Sequence, residues 1–414
     1  MSKTRIVVNL LINPNHFFAV LESKYAKDAY LRLRKTIYGL KQAALMFWKL
    51  LLKCMRSMKF DKSWVDPCLY YKETENGLVL WLSWIDDCLY VGPDVDVKKA
   101  RANILARFEC DDVGELKEYL GCKIDRHMDG VGWIKLTQPV LLQSFEDEFE
   151  MEETGREAIT PAVAGSVLNP DVPAEEVISK EEHSKYRTGT GKLLHVTRWS
   201  RPDIWNATRE LTRAVKDPSR IHYLAMLKCM KYCVRTKSRG WVLKPTRKWD
   251  GKKGFKFRIS GRSDSDYAKC PATRRSVSGY NVKLEGAVVI VASGMQKSTT
   301  LSVTESETVS GVTCAQNMLY AKNVLNSINL EVELPMILEI DNQGGVDMAK
   351  RRACNGRTKH MQIREMWLSE LSEKGIIQVK WISGDDNETD MQTKNLAGPL
   401  FEKHTKAYCG DDEY

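Results

Sequence analysis

The sequence lacks the features of a membrane-spanning or exported protein. No stretch approaches the roughly 18 uninterrupted apolar residues that a membrane helix requires. The apolar stretch from Ile6 to Ile12 follows Lys3 and Arg5, as in a signal peptide, but Asn9 interrupts it and no small-residue cleavage site follows. We therefore expect a soluble protein with no membrane partner.

A disulfide framework is also absent. The 11 cysteines are scattered without paired spacing, and an odd number without an export signal favours reduced thiols inside the cell, in the cytoplasm or the nucleus. Cys229 and Cys233 lie four residues apart in a predicted helix, but neither a second pair nor a histidine cluster is present to complete a zinc tetrahedron. We expect core or surface thiols.

The composition indicates a globular protein with no internal repeat. Of the 414 residues, 43% are apolar and 28% are charged, and this length suits roughly two to three domains. Lys and Arg outnumber Asp and Glu by 63 to 54, a formal net charge of +9. This charge suits a polyanionic partner, but it is also common in soluble proteins without one.

The order of predicted elements indicates an α+β protein with a linker in its middle. Short strands and helices alternate before residue 155, and three prolines, Pro161, Pro170 and Pro173, exclude a helix from the linker at about 155–180. Tyr186 to Ser238 is predicted to be helical. A mixed α/β domain of roughly 150 residues follows, with a helix at about Thr304 to Asn326 and a strand at Met336 to Ile340.

Two adjacent acids, Asp86 and Asp87, lie between apolar, aromatic-rich runs that are typical of buried strands. This pattern predicts a hairpin with both carboxylates at its tip, where a divalent cation would relieve their repulsion and leave coordination positions for phosphate oxygens. The alternative is structural, because Asp is common in turns.

Four further acids lie at the ends of predicted elements in the last domain. Asp264 follows a strand, Glu307 lies in the first turn of a helix, Asp341 ends a strand and Asp390 begins a helix. Helix capping could explain Asp341 and Asp390 individually. Ser302 and Glu305 fit a capping box, which leaves Glu307 for chemistry. A two-cation site would explain why so many acids lie at one end of a sheet.

These acids lie in motifs that resemble the Pol polyprotein of copia-type LTR retrotransposons, in order and in spacing, over residues 28 to 408. The ribonuclease H motifs are Asp264-Ser265-Asp266-Tyr267-Ala268, Arg274-Arg275-Ser276-Val277-Ser278-Gly279-Tyr280, Thr304-Glu305-Ser306-Glu307, Asp341-Asn342-Gln343, Arg357-Thr358-Lys359-His360 and Thr389-Asp390-Met391-Gln392-Thr393-Lys394. The reverse-transcriptase motifs are Tyr38-Gly39-Leu40-Lys41-Gln42-Ala43, Asp66-Pro67-Cys68-Leu69-Tyr70, Trp84-Ile85-Asp86-Asp87 and Gly114-Glu115-Leu116-Lys117-Glu118-Tyr119-Leu120-Gly121. Tyr186-Arg187 and Ser200-Arg201-Pro202-Asp203-Ile204 match the connecting region.

The resemblance implies a fold and its domain limits. After an unassigned segment at 1–27, it implies a partial reverse-transcriptase palm and thumb-like region at 28–154, an antiparallel sheet with helices. A linker and helical connection region at 155–254 would follow, and then an α/β ribonuclease H-like domain at 255–410 with a mixed five-stranded sheet and helices.

The resemblance also implies roles for individual residues. Asp264, Glu307, Asp341 and Asp390 would bind two Mg²⁺ or Mn²⁺ ions and hydrolyse the RNA strand of an RNA-DNA hybrid. Asp86 and Asp87 would be two of the three metal-binding carboxylates of the polymerase. The nucleic-acid contacts would come from Lys41 and Gln42, near template and incoming nucleotide, and from Arg357, Lys359 and His360, although a solvated helix start explains the last three equally well.

The polymerase site departs from the family pattern. Its third carboxylate lies upstream of the Tyr38-Gly39-Leu40 motif in the family, whereas Glu22 and Asp28, the acids before Tyr38, do not end a credible strand. We therefore expect the truncated polymerase to be inactive alone and the missing amino-terminal part of the polyprotein to be a possible partner. Two alternatives stay open: a catalytically dead or co-opted nucleic-acid-binding protein, and a decaying transposon remnant.

Overall fold

The structure is a computed structural model that describes residues 6–10, 41–84, 87–149, 159–350 and 359–411. The chain divides into two compact units. The first unit combines residues up to 119 with 249–255 and 323–331, and the second combines 120–248, 256–322 and 332–414. The domain limits predicted from the sequence stay a prediction.

In the part of the chain that the structure describes, the first unit contains an antiparallel sheet with helices. The strands are Ile6–Leu10 (β1), Asp61–Lys62 (β2), Leu69–Thr74 (β3), Gly77–Trp84 (β4), Asp87–Val91 (β5), Cys110–Glu115 (β6) and Glu118–Tyr119 (β7), and the helices are Lys41–Ser57 (α1) and Asp94–Leu105 (α2). Six of the strands form one sheet in the order β2-β3-β4-β5-β1-β6, with every neighbouring pair antiparallel.

Alternating side chains hold this unit together. Along β4, Val79 and Trp81 are buried while their neighbours are half-exposed, as expected for a sheet with one covered face. The Trp81 ring packs against Tyr90 of β5 with ring centroids 4.5 Å apart. At the β3-β4 turn, which contains Asn76 and Gly77, Gly77 adopts a φ of +132°.

Beyond residue 119 the chain contains more helix. The strands are Cys122–His127 (β8), Trp133–Thr137 (β9), Gly240–Leu243 (β10), Lys256–Phe257 (β11), Ile259–Asp266 (β12), Val277–Leu284 (β13), Ala287–Met295 (β14), Glu331–Val332 (β15), Met336–Ile340 (β16), Ile377–Trp381 (β17) and Cys409–Gly410 (β18). The helices are Pro139–Phe149 (α3), Lys180–Trp199 (α4), Trp205–Arg213 (α5), Arg220–Arg235 (α6), Val303–Asn326 (α7), Gln343–Lys350 (α8), Lys359–Glu373 (α9) and Gly398–Thr405 (α10). No helix in the described ranges is both long and apolar enough to cross a membrane.

The predicted helical region is confirmed as α4, α5 and α6. It begins at Lys180, where the Ser179 hydroxyl accepts a hydrogen bond from the Glu182 amide and caps α4. Cys229 and Cys233 lie in α6 and are buried with Leu193 in one hydrophobic core, so they are core thiols.

The second unit also contains a mixed five-stranded sheet in the order β14-β13-β12-β16-β17. The pairs among β14, β13 and β12 are antiparallel, and the pairs among β12, β16 and β17 are parallel. The α+β class predicted from the sequence is confirmed. Because β12 and β16 run parallel, the residues at their carboxyl ends lie at the same edge of the sheet.

Candidate metal centre

Three acids converge at this edge of the mixed sheet. Ser263 of β12 lies beside Ile340 of β16 in the parallel register, so the next residues, Asp264 and Asp341, lie side by side. Glu307 reaches the same place from near the start of α7. One carboxylate oxygen from each of the three lies within 4.8 Å of the other two. Asp264 is 1% exposed and Glu307 is 3% exposed, whereas Asp341 is half-buried.

Burial and mutual repulsion favour the protonated forms of these acids. Burial raises the pKa of Asp264 to about 7; Lys394 opposes this shift, and Asp390 and Asp341 add to it. Burial also raises the pKa of Glu307, to about 9, with further repulsion from Asp264 and Asp341. The pKa of Asp341 is raised by burial too. Added positive charge would stabilise such a group of acids in its charged form.

Hydrogen bonds from Ser265 hold one carboxylate oxygen of Glu307 in place. Its Oε1 accepts hydrogen bonds from the Ser265 amide at 3.1 Å and the Ser265 hydroxyl at 2.9 Å. Its Oε2 is buried and has no hydrogen-bond partner among the described residues. A fixed carboxylate with one buried oxygen to spare is suited to bind a cation.

The helix start beside Glu307 is capped as the sequence indicated, with one difference. The Glu305 amide donates to the Ser302 hydroxyl at 3.1 Å. The Glu305 carboxylate accepts from the amide of Leu301 at 2.6 Å, whereas a capping box would use the amide of Ser302. The Glu305 carboxylate therefore binds the backbone just before α7, and Glu307 faces the other acids.

Asp390 lies next to this group but is paired differently. It belongs to a short 3-10 helix, Glu388–Gln392, and its Oδ1 accepts a hydrogen bond from Lys394 Nζ at 2.5 Å. The same ammonium is 3.8 Å from Asp264 Oδ2, which also accepts a hydrogen bond from the Thr393 hydroxyl. Burial lowers the pKa of Lys394, but Asp264 and Asp390 outweigh that effect and raise it above its ordinary value. Within the described residues, the group that could hold an ion comprises Asp264, Glu307 and Asp341 without Asp390.

The remaining predicted site residues lie elsewhere in the chain. Asp87 begins β5 and is half-buried, and Asp86 lies outside the described residues. Lys41 is the first residue of α1, followed by the exposed Gln42. Lys359 and His360 begin α9. Their side chains and all of Arg357 lie outside the part of the chain that the structure describes. The roles predicted for these residues stay predictions.

Four residues around the acids were given no role from the sequence: Ser265, Thr393, Lys394 and Trp381. The spacing of Asp390 and Lys394, four residues apart, is a recognisable signal for an ion pair on a helical turn. Trp381 ends β17, and its exposed indole donates to the Asp341 carbonyl oxygen at 3.1 Å. No local pattern indicates this contact, because it depends on the pairing of β16 with β17.

The chain is similar in sequence to reverse transcriptases and to retrovirus-related Pol polyproteins of transposons. A family model described as reverse transcriptase (RNA-dependent DNA polymerase) matches residues 17–164. The retrovirus-related Pol polyprotein from transposon TNT 1-94 of Nicotiana tabacum is 27% identical over 384 residues, 91% of this chain and 28% of the relative. The corresponding polyprotein from transposon RE1 of Arabidopsis thaliana is 25% identical over 372 residues, 90% of this chain and 24% of the relative.

The chain thus spans about a quarter of the length of these curated relatives. Among solved structures, the foamy viral protease-reverse transcriptase in complex with an RNA/DNA hybrid aligns with a TM-score of 0.44 at 11% identity. That alignment covers 92% of this chain and 44% of the viral chain.

Proposed function

Because the chain is homologous to the Pol polyproteins of copia-type retrotransposons, we propose that its mixed sheet carries a ribonuclease H site. The site would hydrolyse the RNA strand of RNA-DNA hybrids with the help of divalent cations. The observation that carries the proposal is the convergence of Asp264, Glu307 and Asp341 within 4.8 Å at one sheet edge. Three acids from three different elements are difficult to explain as caps or ordinary surface charges.

The chemistry of these residues fits Mg²⁺ or Mn²⁺. Both are hard cations that prefer carboxylate oxygens, and all three candidate ligands are carboxylates. Burying acids without a counter-charge is unfavourable, and Glu307 keeps a buried oxygen that accepts no hydrogen bond from a described residue. Bound cations would supply an activated water and neutralise negative charge on the phosphate.

The chain's own residues would orient the carboxylates before any substrate arrives. Ser265 fixes one oxygen of Glu307 through its amide and its hydroxyl. Thr393 fixes one oxygen of Asp264 through its hydroxyl. Since a buried carboxylate held by hydrogen bonds cannot turn freely, the oxygens that face the shared space would stay there, which lowers the cost of ordering the site.

Hybrid cleavage tests the proposal directly. The full chain is incubated with a labelled RNA-DNA hybrid and Mg²⁺ or Mn²⁺, beside the variants Asp341→Asn and Asp385→Asn. We expect cleavage of the RNA strand that a chelator stops and that Asp341→Asn lowers by about two orders of magnitude or more. Asp385 is an exposed acid in the loop before Asp390, so its variant should keep wild-type cleavage.

Two outcomes would contradict the proposal. One is the absence of cleavage by a folded protein, and the other is cleavage that Asp341→Asn leaves unchanged. Salt-dependent binding of the hybrid without turnover would favour the nucleic-acid-binding alternative, because contacts between lysine or arginine and phosphate weaken steeply as salt rises.

A further inference from the structure

Lys394 is a positive charge inside the group of acids. Its Nζ donates to Asp390 Oδ1 at 2.5 Å and lies 3.8 Å from Asp264 Oδ2. The side chain is 37% exposed, so a route to solvent is available to it. A lysine with access to water that nevertheless points at two carboxylates is held there by their charge.

Lys394 contacts the carboxylate oxygens that a second cation would have to bind. The acids at this edge carry four potential negative charges, on Asp264, Glu307, Asp341 and Asp390. An ion between Asp264 and Asp390 would have to share Oδ2 of Asp264 with both Thr393 and Lys394. It would also have to displace the ammonium from Asp390. By contrast, Glu307 Oε2 is buried and accepts no hydrogen bond from a described residue.

We propose that Lys394 stands in for a second divalent cation in the substrate-free protein. The site then binds one divalent cation, at Asp264, Glu307 and Asp341. The Lys394 ammonium compensates the negative charges of Asp264 and Asp390 in place of a second ion. Lys394 is a positioning residue in this arrangement, since it acts through the carboxylates. The inference rests on the proposed metal-dependent function and departs from the two-ion site that the family resemblance implies.

Calorimetric titration of the metal-free full chain with Mn²⁺ alone tests the stoichiometry. We expect one ion per chain for the wild type and two for Lys394→Met, because that variant frees the oxygens of Asp264 and Asp390. The first ion should also bind about tenfold more tightly in Lys394→Met, since a nearby positive charge is removed. Electron paramagnetic resonance should show coupled Mn²⁺ pairs in this variant and isolated ions in the wild type.

Two further variants serve as controls. Lys394→Arg keeps the charge and should keep one ion. Lys403→Met removes an exposed lysine that pairs with Asp386, away from the acids, and should also keep one ion. Circular dichroism checks that each variant is folded, and Lys394→Gln replaces Lys394→Met if the apolar side chain prevents folding.

The outcomes separate this inference from the proposed function. No Mn²⁺ binding by the folded wild type would overturn both. Two ions in the wild type, removed by Asp341→Asn, would overturn the role of Lys394 and leave the metal site standing. One ion in both the wild type and Lys394→Met would show that the lysine forms an ordinary ion pair with Asp390, and would also overturn the inference.

Discussion

Asp264 and Glu307 should make the stability of the folded chain depend on pH. Their folded-state pKa values, about 7 and about 9, lie above the ordinary values of 3.8 and 4.5. Between the ordinary and the raised values, the folded chain therefore binds more protons than the unfolded chain. Stability then decreases as pH rises, because each proton lost leaves a buried negative charge that the neighbouring acids repel.

We expect the melting temperature of the metal-free chain to fall as pH rises from about 5 to about 9. Added Mn²⁺ should reduce the fall, since a bound cation compensates the ionised carboxylates. Glu307→Gln should also reduce it, whereas Glu370→Gln, at an exposed acid, should not. Thermal melting followed by circular dichroism measures these differences. An identical pH profile for Glu307→Gln and the wild type would contradict the prediction.

The ion pair between Arg201 and Asp203 is a second residue-scale feature. Both side chains are fully buried, and Arg201 donates to the two Asp203 oxygens at 2.9 and 2.8 Å. Tyr232 donates to the same carboxylate at 2.7 Å. The pair joins the turn after α4 to α6, and it lies in a motif that the sequence placed in the connecting region.

Removing one partner of this pair should be costly. Asp203→Ala leaves the Arg201 charge buried without compensation, and we expect a loss of about 3–5 kcal/mol in unfolding free energy. Glu370→Ala removes an exposed partner of Lys374 and should change stability by less than about 0.5 kcal/mol. Urea unfolding compares the two variants. Similar losses in both variants would show that burial of the Arg201–Asp203 pair does not determine its contribution to the unfolding free energy.

At the scale of elements, Gly279 determines how closely the Asp390 turn approaches the sheet. A Cβ at Gly279 of β13 would lie 2.7 Å from Thr393 Cγ2, 2.8 Å from Gln392 Cβ and 3.0 Å from the Thr389 carbonyl oxygen. The segment that carries Asp390 and Lys394 thus rests directly on this strand. A glycine is required here for the close approach, not for a special φ.

Gly279→Ala should push this segment away from Asp264. We expect a stability loss of about 1–3 kcal/mol from overpacking. Cleavage of an RNA-DNA hybrid should fall by about tenfold, because a displacement of a few tenths of an ångström disturbs the Thr393 contact to Asp264. Gly294→Ala, on the adjacent strand β14 with nothing within 4 Å of the added Cβ, is the matched control. Equal cleavage by the two variants would contradict this prediction.

Elements with a strong local signal were predicted well from the sequence. Strand β16 has the predicted bounds, Met336 to Ile340, because its apolar run is bounded on both sides. The region predicted to be helical from Tyr186 begins instead at Lys180, because Ser179 caps the start of α4. Local pattern therefore gives the existence of an element more reliably than its ends.

The site was predictable only in part, for a physical reason. The sequence predicts Asp264 just past a strand, whereas it lies inside β12, near the carboxyl end of that strand. Glu307 lies in the second turn of α7 and not in the first, and Asp341 directly follows β16. The parallel direction of β12 and β16 still brings Asp264 and Asp341 to one sheet edge. The pairing of Asp390 with Lys394 follows from helical spacing, but the approach of Lys394 to Asp264 joins residues 130 positions apart in the sequence. Only the packed structure brings those two side chains together.

At the scale of the whole molecule, the two sets of acids lie in different compact units. Asp87 belongs to the first unit, and the three converging acids belong to the second. In the first unit, β1 pairs with β5 so that Asn9 lies opposite Asp87. The residue across from Asp87 in that register is therefore an amide, whereas a polymerase site that binds two cations calls for further carboxylates.

Hydrolysis and polymerisation should therefore be separable in this chain. We expect Asp87→Asn to leave hybrid cleavage within about twofold of the wild type, because the residue lies outside the unit that holds Asp264, Glu307 and Asp341. We also expect no primer extension on an RNA template by the chain alone, since Asn9 supplies no carboxylate beside Asp87. Parallel assays of cleavage and extension with one protein preparation check both expectations. Nucleotide incorporation that Asp87→Asn abolishes would show that the first unit assembles a working polymerase site despite Asn9.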